Sequence, residues 1–163
     1  MTRNTLLVDL FIILLAGGCS AAELTIDATP AGIGRTAEFE IRFTPDSSAL
    51  TALQFDVGFN PHLVKLSAAA GPAATGAHKD LATASAGPGK MRFLIAGLNR
   101  ESISKGVLVR LSVTLLDANK TGDKTLILSN AAGADRDAKR VQIEVRNGEA
   151  GPGRSPSSET VVR

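Results

Sequence analysis

Apolar and polar residues alternate along most of this chain. Phe39, Ile41 and Phe43 alternate with Glu38, Glu40 and Arg42. Leu53, Phe55, Val57 and Phe59 are interleaved with Gln54, Asp56 and Gly58. Val107, Val109, Leu111, Val113 and Leu115 alternate with Arg110, Ser112 and Thr114, and Val141, Ile143 and Val145 with Gln142, Glu144 and Arg146. A period of two sends successive side chains to opposite faces, so each run predicts a strand with one row in a core and the other toward solvent. Leu24-Thr25-Ile26 starts a shorter alternation, and Leu63–Leu66, Met91–Leu98 and Thr125–Leu128 predict less regular strands.

Turn signals separate these runs at short intervals: Thr29-Pro30-Ala31-Gly32, Thr44-Pro45-Asp46, Asn60-Pro61, Gly71-Pro72, Gly87-Pro88-Gly89, Thr121-Gly122-Asp123 and Asn147-Gly148. Many short strands with Gly/Pro turns predict an all-β sandwich or barrel. No segment carries a helical period. Ser67–Ala86, rich in Ala and Gly, reads as a long loop with one poor strand over Leu81–Ser85. There is no internal repeat. Residues 149–163, with Gly151-Pro152-Gly153 and Ser155-Pro156-Ser157-Ser158, cannot bury enough apolar surface to order themselves and read as a disordered tail.

The leader is of a different kind. Arg3 precedes an apolar stretch from Leu6 to Leu15, interrupted by Asp9, and Ala16-Gly17-Gly18 leads into Cys19. A basic start, a short apolar stretch and small residues form a secretory signal. The small-small-Cys ending resembles a bacterial lipoprotein box. Residues 1–18 are then removed and Cys19 becomes the lipidated first residue; Ser20 after it resembles outer-membrane sorting. Ordinary cleavage after Ala21 or Ala22 would instead discard Cys19. A spanning helix needs about 20 apolar residues, which this stretch does not supply. Lipid chains add about 0.8 kcal/mol per buried methylene and could hold a soluble domain on a membrane.

About 145 residues remain after the leader, enough for one domain with a sizeable core. Lys and Arg number 18 against 16 Asp and Glu, a balance that does not point to nucleic acid. Cys19 is the single cysteine, so no disulfide or thiolate metal site is available. The chain has no Trp and no Tyr. Sugar-gripping proteins commonly stack pyranose rings on those side chains, whose flat apolar face and polar edge suit the task.

Three segments, in order, resemble the cohesin domain family. Leu53-Gln54-Phe55-Asp56-Val57-Gly58-Phe59-Asn60-Pro61-His62-Leu63-Val64 is similar to the family strand that ends in Tyr-Asp-Pro and leads into an apolar strand. Gly106-Val107-Leu108-Val109-Arg110-Leu111-Ser112-Val113 resembles its Gly-led strand after a loop. Val141-Gln142-Ile143-Glu144-Val145-Arg146-Asn147-Gly148 resembles the closing strand and its Asn-Gly turn. The likeness spans residues 23–148. It implies a nine-stranded β-sandwich with jelly-roll topology and a non-catalytic role, docking dockerin modules in polysaccharide degradation on a bacterial surface.

The resemblance also implies that the partner docks on the flat outer face of one sheet. A polar pair on the strand before Tyr-Asp-Pro is important in the family. Aligned on Phe59-Asn60-Pro61, those positions are Ala52, which has no hydrogen-bonding side chain, and Gln54. Gln54 and Asp56 are the expected contact residues, with Arg92 from the Lys90–Leu94 segment. Solvated strand positions are the plainer reading of the same residues. Direct carbohydrate binding and a structural place in an envelope or secretion assembly are the alternatives to a docked protein.

Other chemistry is thin. His62 and His78 have no close partners in sequence for a metal site or a nucleophile–base pair, and read as surface histidines. Ser102-Ile103-Ser104-Lys105 and Lys120-Thr121-Gly122 match fragments of the penicillin-recognising signature, but Ser102 precedes a strand rather than opening a helix. Gly32-Ile33-Gly34 is a turn without the helix a dinucleotide site needs. Asp117, Asp123, Asp135 and Asp137 are loop acids; calcium needs six to eight oxygens, several of them from one shaped loop, and Asp135-Arg136-Asp137 reads most simply as a turn with a local ion pair. Asn119-Lys120-Thr121 is a formal glycosylation sequon. No cofactor, no metal and no enzymatic activity are expected.

Overall fold

The computed structural model describes residues 21–29, 35–117 and 125–147. The leader, Cys19, the Gly32 turn, Asn119 to Asp123 and the tail after Asn147 lie outside the described residues. Among the described residues nine strands run in chain order: β1 (Ala22–Thr29), β2 (Thr36–Thr44), β3 (Ala52–Gly58), β4 (Val64–Ala70), β5 (Asp80–Gly87), β6 (Lys90–Ala96), β7 (Gly106–Leu115), β8 (Ile127–Ala134) and β9 (Arg140–Asn147). One short helix, α1 (Pro72–Gly76), lies between β4 and β5.

The strands hydrogen-bond in the order β4-β7-β2-β1-β9-β8-β3-β6-β5. The order folds into two layers because β9 serves both. Its first residues pair antiparallel with β8, Arg140 opposite Ala134 and Gln142 opposite Ala132. Its later residues pair parallel with β1, Ile143 opposite Ala22 through Asn147 opposite Ile26. This is the expected all-β, nine-stranded jelly-roll sandwich.

The alternating rows meet between the layers. Phe39, Ile41 and Phe43 of β2, Leu24 and Ile26 of β1, and Leu111 and Val113 of β7 face Leu53, Phe55 and Val57 of β3 and Phe93 and Ile95 of β6, all of them buried. Phe55 and Phe93 stack with ring centroids 5.1 Å apart, an arrangement worth about 1 kcal/mol beyond the area buried. Burying each such side chain contributes about 1.5–3 kcal/mol, which offsets the entropy of ordering a chain without disulfides.

Ser67–Ala86 is far more ordered than its composition suggests. β4 continues to Ala70, α1 follows, and β5 covers Asp80–Gly87. Small residues are used here for close approach. A Cβ on Gly71 would stand 2.3 Å from the Val107 carbonyl oxygen, and Ala73, Ala74 and Ala77 are buried against the core. Pro72 supplies a pre-set φ at the start of α1. A five-residue helix is too short to display a period, and strands built of Ala, Ser and Thr show no apolar alternation.

A candidate docking face on the second sheet

The outer faces of the two sheets differ in kind. On the β4-β7-β2-β1 layer, outward side chains form an ion-pair lattice. Glu40 takes Arg42 on its own strand and approaches Arg110 of β7 at 3.9 Å, and Arg42 lies 3.6 Å from Asp27. Arg146 pairs with Glu23 at 3.2 Å. Exposed pairs like these stabilise by about 0–1 kcal/mol each and keep the face hydrated.

On the β8-β3-β6-β5 layer, the outward rows are small and mostly uncharged. Register places Ala134, Ala52, Ala96 and Asp80 in one cross-strand row, and Ala132, Gln54, Leu94 and Ala82 in the next. The third row is Ser129, Asp56, Arg92 and Ala84, and the fourth Ile127, Gly58, Lys90 and Gly87. Leu94 is 42% and Ile127 51% exposed, large apolar side chains on a surface of alanines. A shallow concavity of about 800 Å³ opens where β9 leaves for the other sheet, bordered by Ala52, Gln54, Leu94, Ala132, Arg140 and Gln142.

The expected contact residues Gln54 and Arg92 are on this face, and so is Asp56, but Asp56 is not presented to a partner. It is fully buried. Arg92, its cross-strand neighbour, covers it, donating Nε to Oδ1 at 2.7 Å and Nη2 to Oδ2 at 3.0 Å. Asn130 Nδ2 donates to the same Oδ2 at 2.8 Å. Asn130 reaches it through a β-bulge: β8 fits two residues, Asn130 and Ala131, opposite Phe55 alone, and Asn130 takes φ 52°.

The Arg92 hydrogen bonds hold the Asp56 carboxyl below the usual carboxylate range; burial opposes them, and Asn130 and the positive charges of Arg92 and Lys90 assist. Asp56 in turn raises the Arg92 pKa. The group that meets solvent is therefore the guanidinium, fixed in orientation by a bidentate pair. Outward parity of Asp56 is legible in the sequence; its burial depends on a strand pairing and a bulge that are not.

One polar cluster had no sequence signal. Lys79 is buried, and its ammonium donates to the Asn99 carbonyl at 2.9 Å and to Asn99 Oδ1 at 2.6 Å. Asn99 Nδ2 donates to the His78 carbonyl at 2.8 Å. This latch fixes the β6–β7 loop against the start of β5 and so shapes the rim of the face. His78 lies at the surface with Nδ1 2.8 Å from Glu101 Oε2, and His62 is exposed beyond Pro61. Asp135-Arg136-Asp137 departs from the expected local ion pair. Asp135 Oδ1 accepts the backbone N–H groups of Asp137 and Lys139, while Arg136 reaches Ser102 Oγ at 3.1 Å. A carboxylate that closes its own turn satisfies two donors at once. Among the described residues, no three His, Cys, Asp or Glu gather as a metal site.

Fold and face together define a nine-stranded β-sandwich module whose distinguishing surface is a sheet exterior. The chain belongs to the cohesin domain family: the family model for the cohesin domain matches residues 22–150. No curated protein matches the chain. Among solved structures, it is similar to the sixth cohesin of scaffoldin B from Acetivibrio cellulolyticus, solved in complex with a Cel5 dockerin mutant. That match has 16% identity and TM-score 0.64, over 78% of this chain and 95% of that one. A type I cohesin–dockerin complex from Clostridium thermocellum, Coh-OlpC-Doc435, is similar at 14% identity and TM-score 0.61, over 77% of this chain and 89% of that one. A non-cellulosomal cohesin from the archaeon Archaeoglobus fulgidus matches at 12% identity and TM-score 0.60, over 77% and 86%. At these identities the likeness is one of fold.

Proposed function

We propose that this chain is an exported, non-catalytic docking module that binds a dockerin-like protein on the outer face of the β8-β3-β6-β5 sheet. The observation that carries the reading is the contrast between the two exteriors. One is an ion-pair lattice that a partner would have to desolvate at a cost. The other is a broad face of alanines around Leu94, with Gln54 and the held Arg92 guanidinium as polar points. A dry apolar centre with a few oriented polar groups is the anatomy of a protein interface.

The family's polar pair falls on Ala52 and Gln54, and the Ala52 row is alanine on three strands. The contact at that end is thus apolar and close, and the polar contribution moves to Gln54 and Arg92. A role in polysaccharide degradation follows the cohesin family's usual setting. A lipid anchor at Cys19, on the bacterial cell envelope, follows the lipoprotein box. The lack of Trp and Tyr disfavours direct glycan stacking.

The test is surface plasmon resonance of the domain against a panel of dockerin modules, with cellulose pull-down alongside. We expect saturable binding to at least one dockerin, lost in Leu94→Asp and retained in Arg110→Ser on the opposite sheet. Retention on cellulose with no dockerin response would overturn the reading.

A further inference from the structure

We propose that one end of the sandwich, formed by the loops at 97–105 and 135–139, rests directly on the lipid surface, so that the docking face stands upright from the membrane. The inference rests on the lipid-anchor reading of Cys19. It adds the orientation, which follows from where β1 begins.

β1 starts at Ala22, which is fully buried and held on both sides, by β9 at Ile143 and, one residue on, by β2 at Thr44. Only Ser20 and Ala21 lie between Cys19 and Ala22, three residue steps that reach at most about 10 Å at 3.3–3.6 Å per residue. β9 runs parallel to β1 and begins at Arg140, three residues ahead of the level of Ala22. It therefore projects about 10 Å past that level, at about 3.3 Å per residue. The 135–139 turn lies beyond it. The anchor cannot extend further than the fold itself does, so the end of the domain must touch the surface to which Cys19 is attached.

The side chains there suit an interface. Leu98, at the tip of the 97–105 loop, is fully exposed. The Lys79–Asn99 latch fixes that loop beside it. Arg100, Lys105, Arg136, Lys139 and Arg140 are exposed, against Asp80, Glu101 and Asp137. This leaves a small positive excess, so the tether sets the contact and anionic headgroups add an attraction that salt screens. The Gly87–Gly89 hairpin, Lys90 and Lys65 belong to the far end.

The lone thiol permits a direct test. The chain beginning at Cys19, which keeps every described element, is coupled through that thiol to maleimide-bearing phosphatidylethanolamine in phosphatidylcholine vesicles. Lysines are then acetylated and quantified by mass spectrometry. The expected result is several-fold slower acetylation of Lys105 and Lys139 than in uncoupled protein, with Lys65 and Lys90 unchanged. Equal rates at all four, or protection of Lys65 and Lys90 instead, would overturn the orientation. Separately, the intact mass of the full chain produced in a lipoprotein-processing bacterium reports whether Cys19 is acylated. An unmodified Cys19 defeats the anchor reading on its own, whatever the labelling pattern.

Discussion

Arg92 lies across the antiparallel β3–β6 pair from Asp56 and closes over it, so that a carboxylate on the outside of a sheet is fully buried. The pair is a piece of surface held rigid from below. Asp56 gathers Arg92 and Asn130, and through Asn130 it ties β3 to the bulge in β8. Asp56→Ala should therefore cost about 1–3 kcal/mol, because the Asn130 amide loses its acceptor and a buried polar hole remains. Chemical denaturation of the two proteins at neutral pH measures it. No change in midpoint would mean the pair is ornamental to stability.

Acid should act on the same residue. The folded-state pKa of Asp56 is lowered, so its stabilising contribution is complete above the unfolded value of about 3.9 and disappears as pH falls through the folded value below it. Wild type should lose more stability than Asp56→Asn between about pH 4 and pH 2. Urea midpoints across that window, plotted for both proteins, should converge toward the acid end. Parallel curves would show that Asp56 has no special share in acid sensitivity.

Gly71→Ala should be severe. Its Cβ would stand 2.3 Å from the Val107 carbonyl oxygen and 2.7 Å from the Val107 carbonyl carbon, and both belong to the backbone of a central strand. The φ of Gly71 is −88°, open to any residue, so the penalty is steric alone. A loss of about 3 kcal/mol or more is expected, seen as a large drop in Tm. By contrast, Gly76→Ala, which meets nothing within 4 Å, should leave Tm nearly unchanged.

The Lys79 latch offers a fourth check. Asn99→Ala leaves a buried ammonium with one acceptor fewer, and the His78 carbonyl without its donor. About 1–3 kcal/mol of destabilisation is expected. Amide exchange should quicken in residues 97–101 before it does in β2 or β7. Unaltered exchange in that loop would show that the latch does not govern it.

What could be read in advance follows from how each element encodes itself. β2, β3, β7 and β9 alternate bulky apolar and polar residues, and their core rows are visible one residue at a time, except at the start of β7, where a bulge opposite Ile41 and Arg42 buries Leu108 and leaves Val107 half-buried. β4 and β5 owe their conformation to neighbours. Ala68 lies opposite Leu111 and Ala82 opposite Leu94, and no local pattern announces either pairing. The proposed docking face was legible as far as parity goes: Gln54 points outward, and Arg92 stands on the neighbouring strand. The burial of Asp56 was not, because it needs Arg92 from 36 residues away and Asn130 from 74 residues away. Lys79 looks like any exposed lysine until the chain returns with Asn99.

The double allegiance of β9 also bears on how the protein folds. Strands β1 to β8 can assemble two half-layers, but among the described strands only β9 hydrogen-bonds to both. Until Arg140–Asn147 has docked, the β1 and β8 edges both lie open, ready templates for pairing with another chain. The folding chain is thus most vulnerable to misassembly before β9 is in place, and closure of the two layers waits for that strand.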